Sequence, residues 1–169
     1  DREFFLDFAH LLFEKASVGF VSLFDTEDLA AIARSSLRFV DRRRKEEIKV
    51  RVYNPTPGRH GWKADFTVVE ILLQDRPFVV DSMPGCLASL GLELVDFLHP
   101  VIPVRRDGTG KLHRVRPQRD ESTLEAYELF LVRQVERSRY KAIKKRVRDV
   151  LGDVVLASTD YPSMKHRAV

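Results

Sequence analysis

Phe4, Phe5, Phe8, Leu11 and Leu12 recur at the spacing of one helical face, so the chain opens on an amphipathic helix predicted to end around Ser17-Val18-Gly19. Asp25 is placed to cap a second helix, with Glu27 and Asp28 favourable in its first turn. Leu29, Ile32, Ala33, Ser36, Leu37 and Val40 form the inner face of that helix. The Arg42-Arg43-Arg44-Lys45 run is expected to close it, where cations suit the negative end of the dipole; partner binding is the alternative.

The period then changes. Ile48, Val50 and Val52 alternate with charged residues, the pattern of a half-buried strand. Asn54-Pro55-Thr56-Pro57-Gly58 forces a turn, because two prolines forbid regular pairing. Thr67 to Gln74 is apolar on both faces and predicts a central strand. A helix is expected from about Phe78 to Leu90, ending at Gly91, with Pro84 and Gly85 bending it or delaying its start. Glu93 to Arg105 reads as one long strand, Asp107-Gly108-Thr109-Gly110 as a hairpin turn, and Lys111 to Val115 as a short return strand. Arg116 to Glu121 is a charged loop and Thr123 to Val135 a further strand. Tyr140, Ile143, Val147, Val150, Leu151, Val154 and Val155 keep helical spacing across Gly152, which predicts one helix to about Ser158 rather than a helix and a last strand.

From Thr67 the order is strand, helix, strand, strand, helix, most of a ferredoxin-like split βαβ unit. The fold class is therefore α+β, an antiparallel sheet with helices packed on it. The Ile48 strand is expected to take the edge that a fourth strand would fill. Residues 1–46 form an N-terminal helical extension, 47–160 the α+β module, and 161–169 a tail or the start of a linker. The helical extension adds a layer or covers the open sheet face.

Composition narrows the class without naming a function. The 169 residues are 44% hydrophobic and 32% charged, with mean hydropathy −0.24, values of an ordinary globular domain. No apolar run is long enough for a bilayer and no secretory leader is visible. The single Cys86 fits a reducing cytoplasm. The chain starts at Asp1 without an initiator Met and reads as a piece of a larger protein. A net charge of +4 and a pI near 9.3 leave phosphate binding open, but acids nearly match bases in number.

Catalytic chemistry finds little footing. Gly108-Thr109-Gly110-Lys111 lies between strands and lacks the third glycine of a phosphate cradle. The five histidines are scattered, so no metal is expected. Ser82 and Cys86 lie one turn apart near Asp81, with no local base, and Cys86 suits a small core position. Asp75-Arg76-Pro77-Phe78-Val79-Val80-Asp81-Ser82 is the informative stretch, joining a central strand to a helix N-terminus whose free N–H groups favour a carboxylate. An amino acid's carboxylate suits that place, and Asp75 or Asp81 could meet its ammonium group. The plainer reading is a tight turn in which Asp75 or Ser82 caps the helix. His99, before Pro100, is expected either buried or facing a ligand. An RNA-recognition module would share the fold plan, but Tyr127 and Phe130 point to opposite faces and the Lys/Arg-Gly-aromatic signature is absent.

A resemblance adds to this reading. Val50-Arg51-Val52-Tyr53-Asn54-Pro55, His60-Gly61-Trp62, Thr67 to Ile71, Arg76 to Ser82, His99-Pro100-Val101 and Val104 to Asp107, in that order, resemble the N-terminal region of the large bacterial NAD-dependent glutamate dehydrogenases. It implies an ACT-like regulatory or assembly module without catalytic residues, in a homo-oligomeric parent that binds NAD elsewhere in the polypeptide. By the same resemblance the ligand loop is Asp75-Arg76-Pro77-Phe78; with Asp81, Ser82 and His99, singled out by their own chemistry, these are the candidate ligand-binding residues. Amino-acid-binding ACT domains usually carry Gly after Asp-Arg-Pro, where this chain has Phe78.

Overall fold

The computed structural model describes residues 1–116 and 122–167, with side chains as far as residue 159. Six strands make one sheet: β1 (Lys49–Tyr53), β2 (Phe66–Gln74), β3 (Leu94–Leu98), β4 (Val101–Arg106), β5 (Leu112–Val115) and β6 (Thr123–Arg133). The helices are α1 (Arg2–Phe13), α2 (Val18–Ser22), α3 (Thr26–Val40), α4 (Pro57–His60), α5 (Val79–Ser89) and α6 (Tyr140–Arg167).

Every neighbouring pair is antiparallel, in the order β1-β2-β6-β4-β5, with β3 beside β6 in line with β4. The expected edge place of the Ile48 strand and the central place of the Thr67 strand both hold. The single strand expected from Glu93 to Arg105 is instead two, because His99-Pro100 interrupts the ladder: Pro100 has no N–H to give, and its carbonyl accepts from the Tyr127 amide at 3.1 Å. The helix through Gly152 continues to Arg167, and residues 117–121 of the charged loop lie outside the described residues.

Side-chain alternation splits the core in two. Val69, Ile71 and Leu73 of β2 and Phe130 and Val132 of β6 face α5 and α6, where Met83, Leu87, Ile143, Val147 and Leu151 meet them. Val68, Leu72, Leu129 and Leu131 face the other way, onto Phe8, Leu12, Phe20, Ile32 and Val40 of the N-terminal helices. The helical extension thus closes the second sheet face. Tyr127 and Phe130 are both buried, so neither can stack a base, and the RNA-recognition reading loses its platform.

Local chemistry explains the N-terminal turns. Asp25 caps α3 through a 2.8 Å bond from the Asp28 amide, a contact worth about 1 kcal/mol. The first helix stops at Phe13, earlier than its stripe suggests, since the Ser17 hydroxyl accepts from the Phe20 amide at 3.0 Å and starts α2 afresh. The Arg42–Lys45 run does not close α3, which ends at Val40. Arg43 turns inward there, and its Nε reaches Glu125 at 3.0 Å. Gly110 makes that approach possible: at φ +89° it lies against the Arg43 carbonyl, where a Cβ would sit 2.4 Å from the oxygen.

Candidate functional site

The end of β2 sets the site. The Asp75 amide donates to the Leu124 carbonyl at 2.9 Å, extending the β2–β6 ladder by one residue before the chain turns. Asp75 is half-buried, and burial raises its carboxyl pKa, partly offset by the Arg76 amide. Arg76, also half-buried, reaches across to α6 and donates from Nη1 to Thr159 Oγ1 at 3.2 Å. Pro77 is exposed.

Phe78 then takes φ +74°, the left-handed region where a non-glycine residue costs about 1–2 kcal/mol. It stands at the N-terminus of α5 with its side chain 47% exposed. Among the described residues no side chain caps this helix. The capping expected of Asp75 or Ser82 therefore fails: the Ser82 hydroxyl donates instead to the Val79 carbonyl at 3.0 Å. Asp81 is exposed in the first turn, on the favourable side of the dipole.

His99 does not join this group. It is exposed, so the buried reading is corrected, and its ring stacks on Phe97 with centroids 5.2 Å apart. The interruption of the strand explains its exposure, because the residue has left the ladder of β3 and not yet entered that of β4.

Arg76 lines a cleft of about 360 Å³ between the end of β2, α6 and the segment before β1. Arg43, Glu46, Glu47, Gln74 and Thr159 are also in its wall, so two arginines and two glutamates line a cleft of amino-acid scale, with Arg43 already held by Glu125. Glu46 holds φ +68° and Glu47 accepts from the Arg44 amide at 2.8 Å, so the acidic wall is fixed by the backbone turn. Neither acid stood out in the sequence, because the Glu46-Glu47 pair reads as ordinary surface charge.

The sequence also missed Glu128. Its side chain faces the α5/α6 core at 1% exposure, with no partner among the described residues for either carboxylate oxygen. Burial, and then the charge of Asp75, push its pKa up to about 8. By contrast Glu70, on the other sheet face, accepts from Tyr53 Oη at 2.6 Å, Tyr127 Oη at 2.8 Å and the Arg51 guanidinium. Among the described residues no cluster of His, Cys, Asp or Glu could hold a metal ion, and no helix is long and apolar enough to cross a membrane.

Against known families, residues 8–151 match the model described as "Glutamate dehydrogenase, ACT1 domain". The chain belongs to that family. Two relatives agree with this ACT1 assignment: the NAD-specific glutamate dehydrogenases of Pseudomonas aeruginosa, 30% identical over 165 residues, and of Halomonas elongata, 31% identical over 167. In each case 95% of this chain is covered but 10% of the relative, so the ACT1 domain described here spans about a tenth of their length. No solved structure matches it significantly. The ACT1 match fits the observed antiparallel sheet with its crossover helix, in which Asp75 to Phe78 connect β2 to α5.

Proposed function

We propose that this chain is a non-catalytic regulatory domain of a large NAD-dependent glutamate dehydrogenase, and that the cleft beside Arg76 senses an amino acid. The oxidation of glutamate by NAD to 2-oxoglutarate, ammonia and NADH takes place elsewhere in the polypeptide. The observation that carries this reading is the cleft itself: Arg76 suits an α-carboxylate, while Glu46 and Glu47 suit an α-ammonium. Arg76 also ties the loop to α6, so a ligand competing for its guanidinium would alter that tie.

A thermal-shift screen of the chain against the twenty amino acids, NAD, 2-oxoglutarate and nucleotides tests the proposal. A ligand at ~100 times its dissociation constant adds about 2.7 kcal/mol of stability. One amino acid should give a saturable shift, with Arg76→Ala weakening its binding about tenfold or more and Lys145→Ala leaving it unchanged. Equal losses from the two variants would remove the cleft from consideration.

Assembly is the second reading, favoured by the exposed Phe78, Val80, Val101 and Leu124. If the screen gives no shift and the chain self-associates in sedimentation, this reading replaces sensing. Phe78→Gly bears on both. Relief of the left-handed strain should keep the melting temperature level or raise it, whereas the β-branched Phe78→Val should lower it. If sensing holds, the glycine variant should also bind its amino acid at least as tightly as the parent chain.

A further inference from the structure

The largest cavity described, about 1030 Å³, lies far from the Arg76 cleft in its chemistry. One wall is β1, through Val52 and Tyr53, and the other is the start of α6. Its lining carries Arg59, Arg137, Lys141, Lys144, Lys145 and Arg148 against one carboxylate, Asp149, which is already bound to Lys145 at 2.7 Å.

β1 is an edge strand. Among the described residues it pairs with β2 alone, in an unbroken register from Lys49↔Leu72 to Tyr53↔Val68. On its outer side every second residue turns its N–H and C=O outward. Natural edges are usually blunted by a bulge, a proline or charges held across them, and β1 has neither bulge nor proline. Its two cations are drawn onto the α3 face instead. Lys49 Nζ is held by the Phe39 and Arg42 carbonyls, and Arg51 by Glu70.

We propose that this edge and groove bind an extended acidic segment of protein as an added strand. Val50 and Val52 point to the α6 side of the sheet. A strand laid outside β1 would turn every second side chain to that same side, beneath Lys141, Lys144 and Arg148. The matching segment therefore carries Asp or Glu at alternate positions, with backbone bonds to β1 supplying affinity and the cations supplying choice. A second copy of β1 does not meet this requirement. Its residues on the groove side, Val50 and Val52, carry no acid, and pairing about a twofold axis would bring two cationic grooves together.

Fluorescence anisotropy with a labelled peptide of about seven residues, glutamate alternating with valine, tests the inference on the intact chain. Saturable binding is expected, weakened about tenfold or more when alternate peptide amides are N-methylated, when the glutamates are grouped in one block, or when Lys141→Glu and Arg148→Glu are combined. Lys141 and Arg148 are both exposed, and the N-methyl control leaves the protein untouched. Equal binding of the N-methylated peptide, or of single-stranded RNA, would show that the groove reads charge alone and overturn strand addition. Absence of saturable binding, or a dimer sealed through β1, would overturn it as well.

Discussion

Glu125→Ala should destabilise the domain by about 3–5 kcal/mol, a large part of what a domain of this size has to lose. Glu125 is 1% exposed and sits between two arginines. Its Oε2 accepts from Arg43 Nε at 3.0 Å and from Arg106 Nε at 2.9 Å, and its Oε1 from Arg106 Nη2 at 2.8 Å. Arg106 also donates to the carbonyls of Val40, Asp41 and Gly110, so the network joins the end of α3 to the β4–β5 hairpin. Removing the acid leaves two buried guanidinium groups without their counter-charge, and that penalty exceeds the worth of the pair itself. Replacing all three residues by apolar ones of similar volume should recover most of the loss. Urea melts of the single and triple variants measure both, and a single-variant loss below about 1 kcal/mol would mean the network is solvated.

Glu128 should behave in the opposite way: Glu128→Leu should stabilise the chain at pH 8 by a few kcal/mol. The groups around it are apolar. Val79, Met83 and Leu87 of α5 and Ile143, Val147, Leu151 and Val154 of α6 share this core, with the Cys86 thiol beside them and the carboxyl of Asp75 adding negative charge. Its pKa is about 8 in the folded chain, against an ordinary glutamate value of 4.5. The folded state therefore holds a proton that the unfolded state releases at lower pH. Stability is full below the unfolded value, falls as pH rises from about 4.5, and has lost this contribution once pH passes about 8. Glu128→Gln should flatten that slope while keeping a polar group in the core, and Glu128→Leu should flatten it and raise the plateau. Melts across that pH range read both, and an unchanged slope in Glu128→Gln would place the titration elsewhere.

Much of the architecture was legible because it rests on periodicity. The two-faced apolar run of β2, the alternation in β1 and the stripe of α6 each follow from which faces are covered. The break at His99-Pro100 was not, since alternation on both sides of it continues as if the strand were whole. The fate of Arg43 was hidden for a different reason. A cation three residues past a helix end reads as surface charge unless its acid is known, and Glu125 lies 82 positions away. The same limit applies to the site. Asp75 and Arg76 stood out at a strand–helix junction, but Glu46 and Glu47 come to line the same cleft as Arg76 only through the fold. Glu128 gave no signal because one glutamate inside an apolar strand resembles Glu70 and Glu125, which are both satisfied.

The double covering of the sheet has a mechanical consequence. β2 and β6 carry helices on both faces along most of their length, so only their ends, such as Leu124, are open to contact. A force or displacement from outside can reach these strands only at the rim, where the ladder ends at Gln74 or along the open side of β1, unless a whole helical layer is pried away. The interior of the domain is thereby insulated, and its responsive parts are its borders.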